Sequence, residues 1–582
     1  MHSSIRESSI GFGGVMIMTV ILGSPAGPAW NAHAQPIQGD RVGWSGLYRG
    51  ESGAVRFDIS PPLGSIPAPA LMAFQPVDQD RPTGLEGPFG PQSFDPALQG
   101  LAGPVLIPAP IVSFNGPGNI AGVVPPDPVG DVGPNHYVVM TNLYFEVFDK
   151  TGVSLLGPLA NNTLWVGFGG ACETENAGSP IVLYDQLADR WLLTQFTTAG
   201  PTYFNCVALS TSPDPTGSYF RWAFSTGMNF PDFPKYGVWP DAYYISTREF
   251  LPAGPFAGVG AYALDRAQMI AGNPSPQVIS FLVPPGGTPY LIGDGLLPAD
   301  WDGFTPPPGA SPEFYLGTMD DGGPYGAPQD ALTLWKFTAD FMDPPSSSFV
   351  LTDTLPTDPF DSIFPCAPNP TDCIPQPSTA QKLDHRGYRQ RAMWRLAYRN
   401  YGSFESLMTN QSVEAGAGSG ISGIRWYEIR SPNTSPVIHQ QGTYAPGLSD
   451  GIHRWMGSIA MDISGNAALG FSASNSSVFP SIYYTGRKFG DPLGMLPQGE
   501  EIIITGTGSQ TSPFGRWGDY TSMNVDPVDD CTFWYVNEYV PVTSSTDWQT
   551  RIGAFKFPTC GRGVVVGPSA GGNSLMRRFT GP

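Results

Sequence analysis

Short runs of apolar, aromatic and β-branched residues, broken by turns of Asp, Asn, Gly and Pro, recur along most of the chain from residue 126 to residue 557. Such runs read as strands, and no long helical-period stretch interrupts them. They group into units of about 60 residues, a period that signals a propeller or solenoid. Each unit reads as an inner strand, a tight turn, a second strand and then a third and fourth. The first opens at 126–131 and continues through 136–142 and 145–149. The second uses 181–185, 190–196, 205–210 and 219–224. The third uses 235–239, 242–247, 259–264 and 278–281. A fourth, less regular unit begins near Asp294 and continues at 313–318, 332–337 and 348–351. The fifth uses 393–398, 404–410, 423–429 and 437–441, and the sixth 456–461, 467–472, 481–487 and 501–505. The last supplies only three strands, at 519–525, 532–538 and 551–557. An N-terminal strand at 111–114 would complete it and remove an exposed edge.

The pattern predicts an all-β β-propeller with four-stranded antiparallel blades, its ring closed by that N-terminal strand. Seven blades are favoured, with six or eight left open by the weakly defined fourth unit. A β-sandwich with appended domains would match the strand density but not the repeated inner-strand phrasing. A β-helix would need shorter, more uniform coils.

Composition changes the picture at the ends. Gly 72, Pro 63 and 12% aromatic residues suit many short strands, and 13% charged residues leaves little for amphipathic helices. At the N-terminus, Arg6, an apolar core from Val15 to Leu22, and Ala32-His33-Ala34 before Gln35 fit an export leader. The expected organisation is therefore a signal peptide at 1–34 and a Pro/Gly-rich, partly disordered lead-in at 35–105. The propeller follows at 106–560, and a flexible tail at 561–582 carries Arg577 and Arg578. No later stretch approaches the roughly 20 apolar residues of a membrane helix. A secreted protein, extracellular or periplasmic, is expected, and a monomer.

The formal net charge of -20 argues against nucleic acid or an anionic membrane as partner. Six cysteines in an exported chain suggest disulfides. Cys366 with Cys373, Cys531 with Cys560, and Cys172 with Cys206 are the expected pairs, and no metal-type Cys or His spacing accompanies them.

The phrases Pro126-Asp127-Pro128-Val129-Gly130-Asp131-Val132-Gly133-Pro134-Asn135-His136-Tyr137 and Arg516-Trp517-Gly518-Asp519-Tyr520 resemble those of secreted bacterial propellers in the broad sialidase-like, BNR-type group. The resemblance implies a propeller ring and a glycan-directed role. The chain departs from true sialidases at its nearest approach to their recurring Asp box, Asp462-Ile463-Ser464-Gly465-Asn466, which has a different spacing and no Trp. The family's catalytic residues therefore do not transfer.

A propeller brings its inner strands around one axis, so candidate residues are sought there. Arg395, Arg454 and Arg516 lie in or beside three successive inner strands and would together grip a carboxylate or sulfate. The plainer reading pairs them with acids such as Asp384 or Asp519. Asp131 or Asp519 could donate a proton and Tyr236 or Tyr520 could attack a glycosidic carbon, although Asp in Gly-Asp and Asp-Pro phrases commonly caps turns. Trp239, Trp301, Trp517 and Trp548 are candidate sugar platforms, with packing between blades as the alternative. His136 and His453 lie beside inner turns. No motif requires a cofactor. Acid clusters at Asp526, Asp529 and Asp530, at Asp300 and Asp302, and at Asp320 and Asp321 offer oxygen ligands suited to calcium, or are solvated turn charges. The expected function is a carbohydrate-directed propeller acting on an extracellular polysaccharide or other glycan at the axial mouth, as a glycoside hydrolase or polysaccharide lyase on an acidic saccharide. The alternative is a noncatalytic glycan- or protein-binding adhesion module.

Overall fold

The structure, a computed structural model, describes residues 44–67, 81–86, 94–252, 254–366, 372–385 and 390–561. The expected leader, the tail from 562 onward and parts of the lead-in lie outside the described residues. The compact unit that contains the described residues spans Gly43–Pro582. Within it the alternation of apolar and polar residues is realised as a succession of mainly antiparallel four-strand sets, which lie in sheets of four, five and nine strands.

The first set comprises Val129–Val132, His136–Met140, Tyr144–Asp149 and Ser154–Ala160. The second comprises Val182–Asp185, Arg190–Phe196, Tyr203–Ser210 and Tyr219–Gly227. The third is Phe230–Val238, Ala242–Phe250, Phe256–Asp265 and Val278–Val283. The next two sets share one nine-stranded sheet. One half is Leu297–Asp302, Glu313–Met319, Ala331–Thr338 and Ser348–Pro356. The other is Met393–Asn400, Glu405–Glu414, Ser422–Arg430 and Val437–Tyr444. They join where Leu297–Asp302 runs parallel to Met393–Asn400, with Ala299 opposite Leu396. The sixth set is His453–Met461, Ala467–Ser474, Ser481–Arg487 and Glu500–Ile504. The last is Ser522–Val525, Thr532–Tyr539 and Gln549–Lys556.

Segments preceding residue 119 complete or extend these sheets. Val112–Gly118 pairs antiparallel with Gln549–Lys556, placing Phe114 opposite Ile552 as the fourth strand of the last set. From the Pro/Gly-rich lead-in, Leu47–Ser52 pairs with Val278–Val283 and Arg56–Ile59 with Tyr219–Gly227. Leu98–Gln99 runs parallel to Val437–Tyr444.

The opening strands of the sets lie beside one another. Val129–Val132 neighbours both Val182–Asp185 and Ser522–Val525, and His453–Met461 neighbours both Met393–Asn400 and Ser522–Val525. Glycine permits one of these approaches. A Cβ at Gly237 would stand 1.8 Å from the Ala299 carbonyl oxygen, so only glycine lets the third and fourth opening strands meet there. Between sets the space is filled by rings: Phe114 sits 4.9 Å from Phe148, and Tyr137 stacks 5.3 Å from Trp534. Such pairs contribute about 0.5–1.5 kcal/mol beyond their buried area.

The three disulfides are Cys172–Cys206, Cys366–Cys373 and Cys531–Cys560, the pairs expected from the sequence. Cys206 lies within Tyr203–Ser210 and Cys172 in the helical turn Ala171–Thr174, so that bond ties a connecting segment onto its sheet. Disulfides suit an oxidising compartment. Among the described residues no helix is long and apolar enough to cross a membrane.

Candidate functional site

The opening strands are irregular where they begin. Register shifts interrupt the ladder between Asp232 and Lys235, between Met393 and Ala397, and between Trp455 and Ser458. Asp127, Phe233, Gln390 and Met456 all hold positive φ, at 45°, 51°, 39° and 54°. Left-handed backbone at non-glycine residues costs on the order of 1–3 kcal/mol each and concentrates at functional sites. Bulges likewise re-aim side chains. Strain and bulges thus fall together at one end of the opening strands.

What they aim is a cluster drawn from separate sets. The Lys235 ammonium nitrogen lies 3.1 Å from the Phe233 ring centroid and 3.4 Å from that of Tyr520, and the Arg391 guanidinium carbon is 4.3 Å over Phe233. The Tyr520 hydroxyl donates to the Pro234 carbonyl at 3.1 Å, which fixes the two rings 5.3 Å apart. Asp127 accepts the Asp519 N–H at 2.7 Å and the Asn142 side-chain amide at 3.0 Å. The Gly518 N–H donates to Glu538 at 2.5 Å. Arg516 pairs with Asp519 at 2.9 Å and lies 3.7 Å from Asp384.

The electrostatics follow from burial. Loss of water pushes Lys235 well below its usual range and Arg391 adds to this, while Asp519, Asp127 and Asp232 oppose it. Burial pushes Glu538 well above the carboxylate range; Asp127 and Asp519 push the same way, and the Gly518 N–H and Arg516 pull back. The sequence reading named Asp519, Tyr520, Arg516 and Trp517, all of which belong to this cluster or adjoin it. It missed Lys235, Phe233, Arg391 and Glu538. Pro231 and Pro234 within an aromatic run are the signal for a bulged strand that would have marked Lys235.

The other sequence candidates lie elsewhere. Asp131 and Arg395 belong to a second buried group. Arg395 donates to Asp300 at 2.9 Å, to Asp302 at 2.5 Å and to the Met523 carbonyl at 3.1 Å. Asp131 accepts N–H bonds from Tyr184 and Val132, both at 2.7 Å. Burial raises Asp131 to about 8 and Asp300 to about 6, with Arg395 holding both down.

Asp131 gives a pH prediction. Its folded value exceeds the unfolded one, so the folded state binds more protons between about pH 4 and 8, and stability falls as pH rises through that window. Asp131→Asn should flatten the urea-unfolding free energy against pH there by up to about 1.4 kcal/mol per pH unit. An unchanged slope would assign the titration to another group.

Arg454 forms a third set, paired with Asp450 and Glu500 at 2.8 Å each. The three arginines therefore occupy separate ion pairs. Tyr236 is buried and hydrogen-bonded with Thr194. Trp239 and Trp517 are buried as well, their indole N–H groups donating to the Ser311 carbonyl and to Ser472 Oγ. Trp301 and Trp548 are also buried. His136 is half-buried, and His453 accepts the Ser422 N–H at 3.2 Å.

Of the acidic loops, Asp526 binds Lys150, Asp529 binds Lys556 and Asp530 binds Arg399. Asp320, Asp321 and Asp330 bring ligand oxygens within 4.8 Å of one another. The Asp320 and Asp330 oxygens there also accept N–H bonds from Gly322, Ser362, Asp321 and Phe360.

No protein-family model matches the chain, and no curated protein matches it either. Solved structures similar to it include a xylan β-1,4-xylosidase from Bacillus halodurans C-125, at 10% identity and TM-score 0.27, over 79% of this chain and 97% of that one. A polysaccharide lyase, an ulvan lyase, aligns at 10% identity and TM-score 0.30 over 77% and 97%. Trypanosoma rangeli sialidase aligns at 10% identity and TM-score 0.28 over 64% and 54%. Likenesses this loose assign no activity to the chain.

Proposed function

We propose that the sheets are seven blades of one closed wheel, with Val112–Gly118 completing the last blade, and that the protein is secreted and carbohydrate-directed. In this reading it takes an acidic saccharide at the end of the axis where the inner strands begin. One observation carries the reading: Lys235 and Arg391 meet at the Phe233 ring, Tyr520 from the last set closes over Lys235, and Phe233 itself holds strained backbone. Guanidinium and ammonium groups beside aromatic faces are the chemistry that grips a sugar carboxylate.

Retention of the purified protein on acidic and neutral polysaccharides, with product release measured alongside, tests it. Arg391→Gln should weaken retention on acidic polymers at least tenfold while circular dichroism stays unchanged. Equal retention on neutral polymers would overturn the acidic-saccharide reading. A noncatalytic binder is the second reading, favoured by the separate ion pairs of Arg395, Arg454 and Arg516. Retention without product is its signature.

A further inference from the structure

The loop that follows Glu313–Met319 gathers three acids, and a neutral oxygen from a later segment joins them. Asp320, Asp321 and Asp330 bring ligand oxygens within 4.8 Å of one another; Asp320 and Asp330 are buried and Asp321 is exposed, so the group opens to solvent on one side. Ser362 occupies one Asp320 oxygen through both its N–H and its hydroxyl, at 2.7 and 2.5 Å. The other Asp320 oxygen and both Asp330 oxygens each accept a single N–H, from Gly322, Asp321 and Phe360. Each of those three keeps a lone pair for a cation.

Gln390 supplies the neutral oxygen. It is fully buried, and its Oε1 has no hydrogen-bond partner among the described residues. Its Nε2 donates to the Thr318 carbonyl at 3.3 Å, which fixes the amide and turns its oxygen to the acidic loop. A Cβ at Gly323 would stand 2.5 Å from that oxygen and 3.0 Å from both Asp320 Cβ and the Asp320 carbonyl oxygen. Glycine at 323 thus keeps open the space between Gln390 and Asp320. A buried oxygen left without a partner is costly, and a cation in that space would relieve it.

Charge argues the same way. Burial pushes Asp320 up to about 6 and Asp330 up to about 7. Neighbouring acids push further in that direction, Asp361 on Asp320, and Asp320 and Asp321 on Asp330. Among the described residues no lysine or arginine forms an ion pair with any of the three.

We propose that Asp320, Asp321, Asp330 and Gln390 Oε1 bind one calcium ion. Carboxylate and amide oxygens at uneven spacing suit Ca²⁺, which takes about six to eight oxygen ligands in flexible geometry, whereas Mg²⁺ demands a regular octahedron and holds its waters. Water completes the shell from the Asp321 side. The ion ties the loop before Ala331–Thr338 to the segment before Met393–Asn400, and so fastens the fourth set to the fifth. Gln390 directly precedes Arg391, so the same ion steadies the chain beside the guanidinium that lies over Phe233.

The test strips the purified protein with EDTA, removes the chelator, and titrates calcium chloride and magnesium chloride separately by calorimetry and thermal unfolding. One calcium should bind per chain with a dissociation constant on the order of 10⁻⁴ M. About 10 mM calcium should raise the melting temperature by about 2–3 °C. Magnesium should bind at least about tenfold more weakly. Asp321→Ala removes an exposed carboxylate and keeps the backbone N–H that Asp330 accepts, so the fold is preserved. It should weaken calcium binding at least about tenfold, as should Gln390→Met, which keeps the side-chain length and loses the oxygen. A net charge of -20 also draws divalent ions to the whole surface. Such binding would be weak, spread over several ions and indifferent to both substitutions. That result, an unchanged affinity in Asp321→Ala or in folded Gln390→Met, equal affinity for magnesium, or no binding at all would each overturn the site.

Discussion

Arg395→Met is expected to cost about 3–5 kcal/mol of unfolding free energy, because it removes one partner from a buried charge network and strands the others. Arg395 is 1% exposed and holds Asp300 and Asp302 from the neighbouring opening strand, while its third contact reaches Met523 in the last set. Without the guanidinium, Asp300 and Asp131 lose the charge that now pulls their proton affinities down. The deficit should therefore depend on pH. An acid whose folded value is raised costs nothing below its unfolded value near 4, and its cost grows as pH rises toward the folded value. The variant should approach wild-type stability near pH 4 and fall furthest behind above pH 8. Adding Asp300→Asn and Asp302→Asn should recover most of the loss, since removing all charged members of a buried network is far cheaper than removing one. Urea titrations across that range decide the matter, and a deficit independent of pH would mean that Arg395 contributes packing alone.

Much of the strand pattern was legible because alternation with period two leaves its mark wherever one sheet face is buried. Arg190–Phe196 and Tyr219–Gly227 begin at the residues read from the sequence. The fourth opening strand was blurred for a physical reason: Leu297–Asp302 pairs with its own neighbour only at Leu297 and Pro298, then turns to a parallel partner. Cys366–Cys373 was legible from closeness in sequence, and Cys172–Cys206 and Cys531–Cys560 from the neighbouring strands each could tie. The lead-in hid its strands, since Arg56–Ile59 and Leu98–Gln99 are short and their partners lie far along the chain.

The site was legible only in part. Position along an inner strand indicates which end a residue occupies but not which way its side chain leaves a bulge. Arg454, next to a register shift, turns to Glu500 on the outermost strand of its sheet, whereas Lys235, just past another, turns between two rings. Arg391 was overlooked because it precedes its strand, in a stretch from His385 that no alternation marks. Trp239 and Trp517 went into the packing because an indole between sheets buries a large apolar face and still satisfies its N–H.

Replacing residues 111–118 by a Gly/Ser linker of equal length is expected to abolish a stable folded monomer. The strand Val112–Gly118 covers the edge of Gln549–Lys556, with Val112, Ser113, Phe114 and Asn115 opposite Ala554, Gly553, Ile552 and Arg551. Arg551 further donates to Ser113 and Asn115, and Phe114 packs on Phe148 of the first set. Removing this ladder uncovers Ile552 and an open edge, at a cost on the order of 5 kcal/mol from lost hydrogen bonds and apolar burial. An uncovered edge is also a template for another chain, so aggregation should accompany the loss. A synthetic peptide spanning 109–120 should restore the monomer when added during refolding, because an extended segment can complete a sheet from outside. Size-exclusion chromatography and thermal unfolding follow both results. If the linker variant stays monomeric with an unchanged melting temperature, the last set is stable without its N-terminal strand and the closed wheel loses its principal support.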